Sequence, residues 1–490
     1  MEKGNIEQMP IKVQPYRHQQ SAYEFVLGLF GIFPANTNSS GAALLMEMGT
    51  GKSLTAIGVA GRIYLSSRIK RMLIVCPLSI TGVWREEFDK FADFPYTITV
   101  LSGSSAKKKA AMESVSGKGL QIMVINYESA WRLEPELRRW HPDMIVCDEG
   151  HKIKTHNTAA SKAMHRLGAA AEYRMLLTGT PVTNKAIDIF SQYKFLNPSI
   201  YGQSFYTFRS RYFDMAGYGQ HTPVMKSSIE KEFTRRMHSI AFRATKAECL
   251  DLPETTDIIR MVELEPSAMK IYKNLVKESY AELESGTEVT TPNILTRLLR
   301  LCQLTGGFIG GDDSAAEQIS SAKLSVLEDI IDAALQENKK IVVIARFVPE
   351  LKAIRSMLDK KGVRCSMIMG GVDDREEQVR QFQNDPDVTV FLGQIATAGM
   401  GLTLTASSIM VFYSLDYSMS NYEQCRARIH RAGQKYPCTY IHLAAENTVD
   451  CKVIQALKAK ADLAKALVDD WRGGINPFEY NVRKDEVNDS

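Results

Sequence analysis

The chain has 490 residues, 44% of them hydrophobic and 24% charged, with a formal net charge of +4. That is an ordinary globular balance, long enough for roughly two to four domains. No apolar run approaches the about 18 residues that span a bilayer, residues 1–10 are too polar for a secretory signal, and the eight cysteines contain no Cys-x-x-Cys pair. These features set aside membrane, zinc-finger and disulfide-scaffold classes and predict an intracellular, reducing setting.

In chain order, residues 41–46 form a short apolar run of buried-strand type. Residues 53–65 carry Leu54, Ile57, Ala60, Ile63 and Tyr64 at helical spacing. The string Glu47-Met-Gly-Thr-Gly-Lys-Ser53 thus lies where a strand turns into a helix. Gly49 and Gly51 can turn backbone N–H groups onto an anion, and a helix N-terminus adds partial positive charge. Lys52 would reach the β- and γ-phosphates of a nucleoside triphosphate, and the Ser53 hydroxyl would sit on Mg²⁺. A strict phosphate loop has another glycine six positions before the lysine, where this chain has Met46.

Strand-like runs follow at 72–76, 121–125, 143–147 and 174–177. Asp148 and Glu149 stand at the carboxyl end of the third of these, the end at which open α/β sheets bind ligands. Asp148 would hold Mg²⁺, while Glu149 would orient and deprotonate a water. A glycine loop followed by such an acidic pair is the minimum apparatus for hydrolysing a nucleoside triphosphate.

From about 187 to 322 the chain is helix-like and richer in charge, with Phe205, Tyr206, Phe208, Tyr212 and Phe213 set among Arg209 and Arg211. Gly306-Gly307 and Gly310-Gly311 predict a turn or flexible segment. A second block of apolar runs occupies 340–345, 363–368, 388–392, 409–413 and 439–443. Continuous apolar runs separated by helices predict parallel sheets covered on both faces, hence an α/β chain with two lobes. In Gln424-Cys-Arg-Ala-Arg428-Ile-His430-Arg431-Ala-Gly433-Gln434, a helix would put Arg428 and Arg431 on one face. As arginine fingers they would be worth about 10³ to 10⁵ in rate.

Taken in order, these motifs resemble the Swi/Snf-like branch of superfamily 2 helicases, ATP-dependent translocases on double-stranded DNA. Pro15-Tyr-Arg-His-Gln19 is similar to the adenine-reading glutamine motif and Glu47 to Ser53 to motif I. Cys76-Pro-Leu-Ser-Ile through Trp84-Arg-Glu-Glu-Phe88 resembles motif Ia, and Asn126-Tyr-Glu128 the next DNA-facing segment. Asp148-Glu-Gly-His-Lys-Ile-Lys154 resembles motif II, and Leu177-Thr-Gly-Thr-Pro-Val-Thr-Asn184 motif III. Arg243-Ala-Thr-Lys246 through Leu252-Pro253 is similar to the linker before the second lobe, and Gln424 to Gln434 to motif VI. Motif V departs from the branch, with Thr403 where Asn is usual and an unusual 394–398.

The resemblance implies two RecA-like parallel-sheet lobes in tandem with helical insertions between them. The expected first lobe is 1–240, with a helical insertion from about 187. A linker and insertion at 241–322, a second lobe at 323–472 and a polar tail at 473–490 follow. It implies ATP and Mg²⁺ as cofactors and double-stranded DNA as partner, gripped by its backbone without sequence preference, and no membrane. The implied catalytic residues are Lys52, Asp148, Glu149, Arg428 and Arg431. Nucleotide would be held by Gln19, Gly49, Thr50, Gly51, Lys52 and Ser53, and the metal by Ser53 and Asp148. Coupling would fall to His151, Thr178, Gly179, Thr180, Gly401, Gln424 and Gln434. Lys107 to Lys109, Arg209, Arg211, Arg235 and Arg236 are candidates to line a DNA path. No zinc finger, nuclease-like carboxylate cluster or histone-reading module stands out at either end, which implies a minimal motor of bacterial or viral type, acting in the cytoplasm or at the nucleoid. The alternatives are a strand-separating helicase and, from another class, a nucleotide-gated DNA-binding adaptor.

Overall fold

A computed structural model of the chain describes residues 8–35, 37–182, 185–216, 222–284, 291–310, 316–370, 374–398 and 402–468. The chain divides into two compact units, Met1–Cys249 with Ala461–Ser490, and Leu250–Lys460.

The first unit is built on seven parallel strands: β1 (Gly41–Met46), β2 (Arg71–Cys76), β3 (Tyr96–Val100), β4 (Leu120–Asn126), β5 (Met144–Asp148), β6 (Tyr173–Leu177) and β7 (Ala241–Ala244). Their spatial order is β3-β4-β2-β5-β6-β1-β7. The five central apolar runs expected from sequence are all present. The two edge strands are additions. β3 reads Tyr-Thr-Ile-Thr-Val, with only Ile98 buried, so it lacks the unbroken apolar signature of its neighbours. β7 lies in what the sequence reading assigns to the linker. It belongs to the first unit because Ala43 to Met46 of β1 pair with Ala241 to Ala244.

The second unit has six parallel strands: β8 (Thr255–Val262), β9 (Lys340–Ala345), β10 (Arg364–Ile368), β11 (Val388–Gln394), β12 (Ser407–Phe412) and β13 (Cys438–Ala445), in the order β8-β13-β12-β9-β11-β10. Two cores lie on its two faces: Ile341, Val343, Val390, Leu392 and Val411 in one, Val342, Ile344, Phe391, Met410 and Phe412 in the other. Successive side chains of a strand point to opposite faces, so burying both faces demands an unbroken apolar run. Each such side chain contributes about 1.5–3 kcal/mol. β8 is again a strand from the expected linker. It is exposed along most of its length and pairs with β13 from Thr255 opposite Cys438 to Val262 opposite Ala445.

Between the sheets' strands, helices Ile189–Leu196, Phe205–Tyr212, Glu230–His238, Pro266–Glu284 and Thr291–Thr305 bear out the helical insertions, with a short hairpin, Phe213–Ala216 against Thr222–Met225, among them. No described helix is long and apolar enough to cross a membrane. The expected tail at 473–490 lies outside the described residues.

Candidate functional site

Because the first sheet is wholly parallel, the ends of β1, β5, β6 and β7 share one edge. The chain leaves β1 at Met46, passes through the glycine loop and enters the helix Lys52–Leu65. Gly49 and Gly51 have φ of +85° and +92°, the left-handed region that favours glycine. At Gly51 a Cβ would also collide with the side-chain amide of Gln19. Gln19 Nε2 donates to Thr50 O at 3.1 Å, and His18 Nε2 lies 2.7 Å from the same carbonyl. Thr50 is fully buried and donates to Glu47 O at 2.7 Å. Lys52 Nζ donates across the loop to Met46 O at 2.8 Å and Glu47 O at 3.2 Å. Burial lowers its pKa from the ordinary lysine range, while Glu149 and Asp148 pull it back up. Ser53 follows, half-buried in the first turn of the helix.

Asp148 ends β5. Its Oδ2 accepts from the buried Trp84 Nε1 at 3.1 Å and its Oδ1 from Glu149 N at 2.9 Å, while its carbonyl accepts from Tyr127 OH at 2.8 Å. Burial, and then the neighbouring Glu149, push its pKa up to about 7 against the pull of Lys52. Glu149 has left-handed backbone angles, φ 51° and ψ 52°, a conformation non-glycine residues adopt at a cost. Its Oε2 lies 3.4 Å from the buried His151 Nδ1. Thr178 follows β6, fully buried, its N–H donating to Leu44 O at 3.1 Å and its hydroxyl accepting from Thr180 N at 3.1 Å. Gly179 packs against the loop backbone: a Cβ there would lie 3.3 Å from Met46 O.

A carboxylate pushed toward neutrality by burial beside a second carboxylate is one that a divalent cation would return to its charged form. Ser53 and Asp148 offer hard oxygen donors, and Mg²⁺ typically takes one or two such ligands plus substrate phosphates. The donor set fits. Among the described residues no group of three or more His, Cys, Asp and Glu forms a protein-only cage.

In the second unit, the helix Met419–Ile429 ends before Arg431, with His430 as its cap. The expectation that Arg428 and Arg431 share a helical face is thus corrected. They converge by another route, both Nη1 atoms donating to Leu402 O at 3.3 Å. Gln424 supports the first of them, its carbonyl accepting from Arg428 Nε at 3.0 Å. Gln434 is a staple of the fold: Nε2 donates to Ser407 O and Ile429 O at 2.8 and 3.0 Å, and Oε1 accepts from the N–H groups of Lys435 and Tyr436. Gly401 lies outside the described residues, as do residues 183 and 184 of the motif III string. Of the basic candidates, Lys109 pairs with Glu136, and Arg211 and Arg236 both pair with Glu232. Lys108 is buried with its Nζ on Ser129 Oγ, and Arg209 stacks over Tyr206, whereas Lys107 and Arg235 are exposed.

Tertiary contacts add two residues to the site. Trp84 holds Asp148 from 64 positions away. Arg243 holds Glu47 from 196 positions away, Nη2 to Oε1 at 3.2 Å. Both fall within motif-like strings, but neither role has a local signal.

A glycine loop feeding a helix at the carboxyl edge of a parallel sheet, with an acidic pair ending another strand of that edge, defines the class of P-loop nucleotide-binding folds. The SNF2-related domain matches residues 18–305 and the helicase conserved C-terminal domain residues 322–433. The chain belongs to the SNF2-related family. It is 27% identical over 487 residues to the DNA repair and recombination protein RDH54 of Saccharomyces cerevisiae, covering 89% of this chain and 52% of that protein. It is 26% identical to an uncharacterized ATP-dependent helicase of Mycoplasma pneumoniae, covering 94% of this chain and 42% of that protein. The chain spans about half the length of these curated relatives. Among solved structures, the Sulfolobus solfataricus SWI2/SNF2 ATPase core in complex with dsDNA is 26% identical over 95% of each chain, with a TM-score of 0.46.

Proposed function

We propose that the protein is an ATP-driven motor that translocates along double-stranded DNA, displacing or remodelling what is bound there. The observation that supports this most is the gathering of the Gly49–Gly51 turn, Lys52, Asp148 and Glu149 at one sheet edge of a chain that also carries a second parallel sheet, matched by the helicase conserved C-terminal domain. Family membership, and relatives named for DNA repair and recombination, support the choice of polymer.

In this reading, Gln19 buttresses Thr50 and keeps the loop shaped for phosphate. Lys52 exchanges the Met46 and Glu47 carbonyls for phosphate oxygens when ATP binds. Ser53 and Asp148 would hold Mg²⁺, which would supply neutralisation of phosphate charge. Glu149, turned by its left-handed backbone toward His151, orients the attacking water and takes its proton. Arg428 and Arg431 stabilise the charge that develops in the transition state. Backbone contacts carry no base information, so stepping along phosphates is indifferent to sequence.

ATPase rates with no polymer, duplex DNA, single-stranded DNA and duplex RNA test the proposal. Duplex DNA should stimulate most, with binding that weakens steeply as salt rises. A third strand in the major groove should be displaced with ATP while a forked duplex stays paired. Efficient fork unwinding with little triplex displacement would move the assignment to a strand-separating helicase. No stimulation by any nucleic acid would defeat both.

A further inference from the structure

We infer that Glu47 is a positioning residue that ties the phosphate-binding loop to the segment through which the chain leaves the first unit, so that occupancy of the loop is transmitted to that connection. The inference rests on the proposed ATPase reading. Glu47 is bonded on three sides. Its N–H donates to Ala244 O of β7 at 2.9 Å. Its Oε1 pairs with Arg243 Nη2 at 3.2 Å, and its Oε2 accepts from Lys246 N at 2.9 Å. The Arg243 side chain is 8% exposed and also donates from Nη1 to Leu45 O at 3.0 Å. The short helix Lys246–Cys249 begins at the Lys246 N–H that Glu47 holds, and Glu248 reaches back to Thr245 N at 3.1 Å, as in a capping box. The first unit ends at Cys249.

Within the loop, the Glu47 carbonyl accepts from Lys52 Nζ at 3.2 Å as well as from Thr50 Oγ1 at 2.7 Å. A phosphate that takes this ammonium removes a restraint on the residue whose side chain fixes Arg243 and Lys246. A cavity of about 550 Å³ lies beside the clamp, walled by Tyr16 and His18 on one side and by Phe242, Arg243, Glu248 and Cys249 on the other. The departing segment therefore borders the space next to the loop as well as the loop itself.

Hydrogen–deuterium exchange of the full chain, with and without ATPγS and Mg²⁺, tests the inference in Glu47→Gln and Lys246→Pro. The second variant removes the N–H that Glu47 holds at a first helical position, where proline is well tolerated, and Lys246→Ala, which keeps that N–H, serves as the control for the lost lysine side chain and should respond as the parent does. In the parental protein both the loop, 46–53, and the connection, 245–254, should change exchange by about tenfold on adding nucleotide. In Glu47→Gln and Lys246→Pro the loop should still respond while the connection's response falls to within about twofold of none. Retention of that response in either variant overturns the inference, as does loss of the loop's response, which would make Glu47 a nucleotide-binding residue only. A melting temperature lowered by more than about 10 °C in both variants also overturns it, since the clamp would then be a folding element. A parental loop that ignores nucleotide would instead sink the ATPase reading. A parental loop that responds without its connection sinks this inference alone.

Discussion

The carboxyl edges of the two sheets each bury a carboxylate, Asp148 in the first unit and Glu350 in the second, and burial pushes both up to about 7. Their surroundings differ. Asp148 faces the Lys52 ammonium and the Glu149 carboxylate beside a glycine loop. Glu350 is fully buried and closes the loop after β9: its Oε2 accepts from Phe347 N at 3.0 Å, Arg346 N at 3.2 Å and Ser414 Oγ at 2.5 Å. Nearby, Lys323 is already committed to Asp450 at 2.6 Å. A perturbed carboxylate is thus no mark of chemistry by itself. What separates the two is a glycine loop with its lysine and a second carboxylate alongside in one place, and backbone and hydroxyl donors with a lysine already paired to Asp450 in the other.

That contrast predicts where turnover is sensitive. The largest effect should come from Arg431→Ala in the full chain. On the role proposed for Arg431, its loss should cut the turnover measured with duplex DNA by about 10³ to 10⁵, with nucleotide affinity unchanged in a fluorescent-nucleotide titration. Equal turnover would remove Arg431 from the site. Glu149→Gln should follow, lowering the rate by about 10² to 10⁴ while ATP remains bound in a filter assay. Hydrolysis at the parental rate would show that Glu149 is not the base. Lys52→Ala should cost about 10² to 10³ in rate and, unlike the other two, also weaken nucleotide binding. Intact affinity would contradict its place on the phosphates.

The smallest effect sharpens the other half of the contrast. Glu350 has an ordinary value of 4.5 and a folded value of about 7, so the folded state holds its proton where the unfolded state does not. The stability this contributes is complete below about pH 4.5 and is lost as pH rises through 7, on the order of 3 kcal/mol. Glu350→Gln should leave turnover near parental. Its melting temperature relative to the parent should rise between pH 5 and pH 8. Asp148 shifts the same way but is present in both proteins, so it cancels in the difference. A pH-independent difference would show that Glu350 stays charged.

Much of the architecture was legible because it depends on local pattern. Short unbroken apolar runs rich in branched residues, such as Met72 to Cys76 and Ile341 to Ala345, read as strands buried on both faces. Gly49, Gly51 and Lys52 announce a phosphate loop, since left-handed turns favour glycine, and Asp148 and Glu149 follow the run that makes β5. Tertiary structure decided what no window of sequence contains. β3 and β8 are rich in Thr, Ile and Val, which favour extended backbone, yet which sheet they join, like the short β7, is set by the ladders that β4, β13 and β1 offer them. The helix that carries Arg428 stops at Ile429, and Arg431 meets Arg428 at the carbonyl of Leu402, 29 residues upstream of Arg431. Trp84 on Asp148 and Arg243 on Glu47 are contacts across 64 and 196 residues. Such bonds leave no periodicity behind, because their geometry exists only once the sheet has set its strands side by side.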